Sequence, residues 1–339
     1  MVVLITGGAG YIGSHICVEL IQNGHQTVIY DNFSNSRPEV LQRMRALTGI
    51  APSLVRGDVR DQSTLADVLR TFQCDAVVHC AGMKSVFESI RFPDMYYDNN
   101  VIGTQTLIQA MQQVGVLKLI FSSSATIYGE PISLPLKEEH PRSPLHPYGR
   151  TKLLAEELLE SVNTSSKSMK VAILRYFNPV GSHESGLIGE DPQCEPNNLM
   201  PYIAQVAVGR RPYLTVFGKD YDTPDGTGVR DYVHVMDIAS GHLKALERLQ
   251  GFDFIKVNLG TGRGVSVLEL VDAFARASGR DIPVVVAPRR DGDISSCYAS
   301  CERADAILQW RPTRNLHDMC RDSWNWQSKN PRGYESSVY

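Results

Sequence analysis

No run of about 18 apolar residues occurs in this chain, and that lack argues against a membrane-spanning helix. Paired cysteine motifs are missing too. Cys17, Cys74, Cys80, Cys194, Cys297, Cys301 and Cys320 are scattered, odd in number and nowhere in a Cys-x-x-Cys arrangement. A disulfide framework and a structural zinc site are therefore not expected, no metal is assigned, and reduced thiols in the cytoplasm are the expectation. Charge of one sign is lacking as well. With 34 basic and 37 acidic residues the net charge is −3, which gives no electrostatic footprint for nucleic acid or for an acidic membrane. No basic segment precedes the apolar stretch after Met1, so no secretory signal is expected. Low-complexity tracts and internal repeats are also missing.

What is present is a core-forming composition, 42% apolar over 339 residues, enough for two domains or one large domain with a lobe. Strand-like runs at 2–6, 26–31, 53–57, 75–80, 117–122 and 170–177 alternate with helical patterns at 11–23, 62–72 and 104–114. Most of the runs are rich in Val, Ile and Leu with little alternation, as strands covered on both faces require. The repeat predicts an α/β fold with a doubly wound parallel sheet and right-handed crossovers. After Phe177 the rhythm breaks. Residues 178–198 read as a long ordered loop, followed by a helix at 199–209, a strand at 214–218, a helix at 265–277 and a strand at 283–287. The division expected is residues 1–177 as a nucleotide-binding domain, with a return segment near 229–249, and 178–339 as a smaller α/β substrate lobe.

The first strand runs into Thr6-Gly7-Gly8-Ala9-Gly10-Tyr11-Ile12-Gly13 and then a helix. Glycines at 7, 10 and 13 permit a tight turn, close backbone approach to a pyrophosphate and close helix–strand packing, so the sheet is read as Rossmann-type. The helix N-terminus would face the phosphates. Asp31 ends the second strand 18 residues beyond Gly13, where a carboxylate accepts from ribose hydroxyls and repels a 2′-phosphate; NAD is expected rather than NADP. Asp58 after the third strand is placed to accept from an adenine amino group. Lys84, after the fourth strand, could reach the diphosphate, and Ser122 to Ser124 end the fifth at the cleft.

Tyr148 and Lys152 stand four apart, directly before Leu153-Leu154-Ala155-Glu156-Glu157-Leu158-Leu159. On a helix they share a face, and an ammonium beside a phenol favours the phenolate, a usable base. Lowering a tyrosine from ~10 to about 7 takes roughly 4 kcal/mol. A lysine ~5–6 Å away at an effective dielectric of ~20 supplies about 3 kcal/mol. Lysine alone falls short, and the positive nicotinamide ring of oxidised NAD is expected to make up the difference.

Taken together, the glycine loop, the Ser124 region and Tyr148-x-x-x-Lys152 resemble the extended short-chain dehydrogenase/reductase superfamily. The likeness to the UDP-glucose (UDP-galactose) 4-epimerase family runs nearly end to end. It includes Asp98-Asn99-Asn100-Val101, Leu174-Arg175-Tyr176-Phe177-Asn178-Pro179-Val180-Gly181, Pro196-Asn197-Asn198-Leu199, Val229-Arg230-Asp231-Tyr232 and Arg289-Arg290-Asp291-Gly292-Asp293. The resemblance implies a bound NAD that oxidises C4 of a UDP-hexose, a 4-keto sugar that turns about its bond to the diphosphate, and re-reduction on the other face. Tyr148 would take the C4 hydroxyl proton, Ser124 would hold the reacting oxygen, and Lys152 would tune Tyr148. It further implies an NAD site lined by Tyr11, Ile12, Asp31, Asn32, Asn35, Ser36, Asp58, Val59, Cys80, Lys84, Asn99 and Phe177. Asn178, Asn198, Leu199, Phe217, Arg230, Tyr232, Arg290 and Asp293 would contact the UDP-sugar. Where members restricted to glucose and galactose carry a tyrosine, this chain has Cys297, so space for an N-acetyl group is expected. A homodimer through 104–114 and 153–162 is implied too. Dehydratases of the superfamily place an Asp-Glu pair after the active-site hydroxyl, where this chain has Ala125 and Thr126.

Overall fold

The computed structural model describes residues 1–335 except 167, 168, 194, 197 and 291, so Cys194, Asn197 and Asp291 lie outside the described residues. The first half is built of β1 (Val2–Thr6), α1 (Tyr11–Gln22), β2 (Gln26–Asp31), α2 (Glu39–Thr48), β3 (Ser53–Arg56), α3 (Gln62–Thr71), β4 (Ala76–His79), α4 (Val86–Arg91), α5 (Pro93–Tyr97), α6 (Gly103–Val114), β5 (Lys118–Ser124), α7 (Pro147–Ser166) and β6 (Lys170–Tyr176). There follow β7 (Asn178–Val180), α8 (Leu199–Ala207), β8 (Leu214–Phe217), β9 (Val229–Arg230), β10 (Tyr232–His234), α9 (Val235–Arg248) and β11 (Phe254–Leu259). Last come β12 (Val265–Ser266), α10 (Val267–Ser278), β13 (Val284–Ala287), β14 (Ser296–Cys297), α11 (Glu302–Leu308) and α12 (Leu316–Lys329).

Seven parallel strands form the central sheet in the order β11-β6-β5-β4-β1-β2-β3. The chain leaves β1 in both directions, so the switch between β1 and β4 opens a crevice at their carboxyl ends. Alternate side chains of β1 enter different cores. Val3 and Ile5 pack with α1, α9, Leu308 and Trp310, whereas Leu4 packs with residues of α3, α6 and α7. Coverage on both faces is why these strands are nearly unbroken apolar runs.

The return of the second half goes further than the expected 229–249. Helix α9 packs on α1, but β11 and α11 also join the first body, β11 as the edge strand beside β6. Its sequence Phe-Ile-Lys-Val-Asn-Leu alternates, as an edge strand does. Residues 178–198, read as loop, open with β7, which pairs with β10 in register Asn178↔Tyr232. The helix expected from 265 begins at Val267, because Val265 and Ser266 pair with β9 and Ser266 caps the helix by accepting from Glu269 N. The lobe core gathers Met200, Ile203, Val216, Leu270, Phe274 and Met319 around β8, α8, α10 and α12. No helix among the described residues is long and apolar enough to cross a membrane.

Candidate active site

The turn from β1 into α1 forms a cradle. Gly7 has φ +67°, and a Cβ there would sit 2.7 Å from Ala81 N; a Cβ at Gly13 would collide with the Gly7 carbonyl oxygen. At Gly10 it would meet the same oxygen at 3.2 Å. Helix α1 starts without a side-chain cap, leaving its first N–H groups to an anion lying against the glycines. The cradle fits the pyrophosphate of a dinucleotide.

Asp31 is buried at the end of β2. Its Oδ1 accepts from Phe33 N and Ser36 Oγ, both at 2.8 Å, and its Oδ2 from Ala9 N at 3.0 Å. A fourth acceptor position is left for a ligand hydroxyl. Asn32 Nδ2 donates to Asp58 Oδ2 at 3.1 Å, and Arg60 grips both oxygens of Asp58, holding that carboxyl well below the usual carboxylate range. Val59 is buried under Gly103, where an added Cβ would lie 2.8 Å from its Cγ2. Asn35 Oδ1 accepts from Gln193 N at 3.3 Å, and Gln193 Nε2 donates to Ser36 O at 2.6 Å. Tyr11 donates to Gly181 O at 2.7 Å, which joins the glycine turn to the segment after β7; Ile12 packs on the core beneath it.

The stretch after β4 is held by Asn100, a residue the sequence reading did not assign. It lies in a single π-helical turn, Asp98–Ile102, between α5 and α6. Asn100 accepts from Met83 N at 2.8 Å and donates to Met83 O and Thr151 Oγ1, both at 3.0 Å; Asn99 donates to its oxygen at 3.0 Å. Lys84 Nζ reaches Glu190 Oε1 at 2.8 Å, and Asn198 Nδ2 reaches the same oxygen at 2.9 Å. Glu190 therefore bridges two residues expected at the ligands. Nothing in its local sequence singled it out.

Over the end of β5 stand the three residues of the proposed chemistry. Pro147 opens α7, a favoured first position, so Tyr148 sits in its first turn and Lys152 one turn further. Lys152 is buried, its Nζ donates to Ser122 O at 2.8 Å and lies 4.9 Å from the centre of the Phe121 ring. Burial pulls its pKa down to about 8, against the opposing pull of Cys80 and Glu156. Burial pushes the Tyr148 phenol up, and a hydrogen bond with Ser124 opposes that rise. Desolvation adds to the cost that spacing alone implies, so ionising Tyr148 needs more help than roughly 4 kcal/mol. Ser124 Oγ in turn accepts from Thr126 N at 3.2 Å and Thr126 Oγ1 at 3.0 Å.

Beneath them lies a fully buried ion pair. Arg175 on β6 forks onto Glu156 on α7 at 3.0 and 2.7 Å, and Ser123 Oγ donates to the same carboxylate at 2.5 Å. Glu156 thus links β5, β6 and the helix bearing Tyr148 and Lys152.

The lobe presents Arg230, Arg290, Asp293 and Phe217 together. Arg290 Nε donates to Asp293 Oδ2 at 2.9 Å, Arg230 lies 3.9 Å from Asp293 Oδ1, and the Arg290 guanidinium lies 4.8 Å from the centre of the Phe217 ring. Two guanidiniums flanking one carboxylate retain donors for a diphosphate. Buried Asp231 fixes their base by accepting from Thr261 N, Gly262 N and Ala299 N. Tyr232 is buried in the lobe core, Asn178 N donates to Asp231 O at 2.9 Å, and Asn198 stands just ahead of α8 and Leu199 without capping the helix, its side-chain amide spent on Glu190. Cys297 pairs with Arg230 across β14 and β9 and packs with Ala125, Leu153 and Phe177, so it shares a cluster with the residue after Ser124. No group of three His, Cys, Asp or Glu placed to hold a metal occurs among the described residues.

The family model of the NAD dependent epimerase/dehydratase family matches residues 3–260. UDP-glucose 4-epimerase 2 of Arabidopsis thaliana is 53% identical over 99% of this chain and 97% of its own length. UDP-glucose 4-epimerase of Bacillus subtilis is 51% identical over 99% of this chain and 100% of its own. The crystal structure of UDP-glucose 4-epimerase from Bifidobacterium longum in complex with NAD+ and UDP superposes with a TM-score of 0.96 at 47% identity, covering 98% of this chain and 100% of the other.

Proposed function

The chain belongs to the NAD dependent epimerase/dehydratase family, and from that premise we propose that it interconverts UDP-glucose and UDP-galactose by inverting C4. The observation that carries this reading is the grouping of Ser124, Tyr148 and Lys152 over the end of β5, with Lys152 anchored on Ser122 O. NAD, when bound, would supply the hydride acceptor and donor for C4. Gly7, Gly10, Tyr11, Ile12, Gly13, Asp31, Asn32, Asn35, Ser36, Asp58, Val59, Cys80, Lys84, Asn99 and Phe177 would hold it. Tyr148 takes the proton of the C4 hydroxyl as the ketone forms and gives it back on reduction. Ser124 holds the reacting oxygen, and Lys152 steadies the phenolate by its charge. Arg230 and Arg290 bind the diphosphate by charge, and the 4-keto sugar turns about its bond to that anchored group to present either face. Residues 1–177, with α9, β11 and α11 packed back on them, would carry the cofactor, and the rest of 178–339 the UDP-sugar. Incubating the purified protein with UDP-galactose should give UDP-glucose with no net NADH, and Tyr148→Phe should lower turnover by about 10²–10⁴-fold; no conversion by the unaltered chain would overturn the reading.

The same reading extends to UDP-N-acetylglucosamine and UDP-N-acetylgalactosamine. In support, Cys297 is a small side chain packed against Ala125 and Phe177, where a phenol would occupy more space. Cys297→Tyr should suppress the N-acetyl reaction and spare the hexose reaction; unchanged selectivity refutes the gate. The assembly proposed is a homodimer, supported by exposed Phe92, Met95 and Ile102 beside α5 and α6.

A further inference from the structure

His146 and Gly149 have no part in the proposed chemistry, yet a hydrogen bond joins them across Tyr148. Helix α7 begins at Pro147, so His146 stands at its cap position, and Arg150 N closes the first helical bond on His146 O at 3.0 Å. Ahead of Arg150 the first turn has few amides to satisfy. Pro147 has none, and the N–H of Gly149 donates to Nδ1 of His146 at 3.2 Å. That is the bond a capping Ser, Thr, Asp or Asn makes to the third helical residue. An imidazole can make it only with Nδ1 bare, so the ring is neutral and its proton sits on Nε2. Partial burial acts in the same sense, pulling the pKa of His146 below its ordinary value.

Tyr148 lies inside the loop that this bond closes. The His146 ring runs parallel to the phenol ring, with 2° between their planes and 6.1 Å between their centres, while the Tyr96 ring meets the phenol at 75° and 6.5 Å. Gly149 leaves no slack in the same turn. A Cβ there would lie 2.8 Å from Thr126 O and 2.9 Å from Pro144 Cβ, and Thr126 is the residue that donates to Ser124 Oγ. The first turn of α7 is thus pressed against the segment carrying Ser124 and held closed by the imidazole.

We infer that His146 is a positioning residue: by capping α7 across Tyr148 and lying parallel to its ring, it fixes the phenol against Ser124 and Lys152. An uncapped first turn frays, and the phenol is a side chain that this turn carries. Lys152, one turn further in, keeps its own anchor on Ser122 O, so the loss falls on the Tyr148 side of the pair. Arg230 on β9 and Arg290 beyond β13, expected at the diphosphate, belong to other elements, so substrate binding is spared. The effect on turnover rests on the reading of Tyr148 as the base, whereas the cap and its hold on the phenol do not.

Two signals in the cofactor-loaded protein read this without turnover: hydrogen exchange of the Gly149 amide, and the ring resonances of Tyr148, assigned by their loss in Tyr148→Phe. His146→Ala should speed the exchange about fivefold, the worth of a typical cap, and shift the ring resonances. It should also lower kcat on UDP-galactose by about the same factor with KM unchanged. His146→Asn, whose side-chain oxygen can take the Gly149 N–H, should bring exchange and kcat back to within about twofold of the unaltered chain. His146→Phe keeps a ring and no acceptor, and should exchange as fast as His146→Ala. Exchange or ring resonances unmoved in His146→Ala overturn the inference, as does a His146→Asn variant no better than His146→Ala in exchange or kcat. A rise in KM that matches the fall in kcat overturns it too. If exchange and resonances respond as stated while the unaltered chain leaves UDP-galactose unconverted, the reading of Tyr148 as the base falls and the hold of His146 on the phenol stands.

Discussion

Lys152 faces two demands that pull apart. It must be charged to support a phenolate on Tyr148, and it is buried, which lowers its pKa to about 8 from an ordinary value of 10.5. The ammonium is therefore lost as pH rises through about 8, and with it the support for the base, so turnover should decline above that pH. Stability should move the other way. Between about 8 and 10.5 the unfolded lysine still binds a proton that the folded one has released, so the contribution of this group to folding increases with pH over that window. Lys152→Met should remove both trends, and the check is a pH series of turnover beside a pH series of urea midpoints. A parallel fall of activity and of the Lys152-dependent stability over the window would contradict the argument. The sequence supplied the pair itself, since spacing alone puts Tyr148 and Lys152 on one helical face. It could not supply the sign of the phenol's shift, because desolvation depends on what the other elements place around that face.

At the scale of elements, the buried pair of Glu156 and Arg175 keeps the chemistry in register. Glu156 continues the face of Tyr148 and Lys152 by one more turn, and its carboxylate meets Arg175 from β6 and Ser123 from β5, the residue before Ser124. Removing one partner of such a pair leaves a buried charge alone and costs about 3–5 kcal/mol. Glu156→Gln should therefore lower unfolding stability by that order and reduce kcat more than it raises KM, since Ser123 and α7 lose their common anchor. Glu156→Met with Arg175→Met should recover part of the stability, measured by urea unfolding, and none of the kcat. Recovery of both together would show that the pair acts through stability alone. In the sequence Glu156 could not be told from Glu157, which is exposed; only the approach of β6 separates them. Local patterns did reveal β1 and β2 to the residue, because apolar runs bounded by glycine turns carry their own ends. They did not reveal β11, whose alternation at the sheet edge belongs equally to a surface strand, nor the contacts of Glu190 with Lys84 and of Asn100 with Met83, which span 106 and 17 residues of chain.

On the scale of the whole molecule, the halves are tied by Tyr11 to Gly181 and by Lys84 and Asn198 meeting on Glu190, so the crevice has walls from both. Partner contact is a separate question of surface. The apolar residues of α6 and α7 on which a dimer was expected are largely spent within the chain: Leu107, Ile108, Ala110, Met111, Ala155 and Leu159 belong to the core beneath α3. Exposed apolar surface does lie just ahead of α6, at Phe92, Met95 and Ile102, 53, 41 and 47% exposed. Because α5 packs on α7 and on the turn leading into α6, this surface is continuous with the helix pair expected to associate. A stable interface needs about 800 Å² per partner, more than three side chains provide, so the polar faces of α6 and α7 must take part as its rim. Met95→Glu with Ile102→Glu places two like charges at the centre of that patch, where a two-fold contact would bring them against their own copies. Sedimentation of the unaltered chain should give a dimer mass and the double variant a monomer mass, with unchanged thermal unfolding of the isolated subunit. A dimer mass in both would move the interface elsewhere.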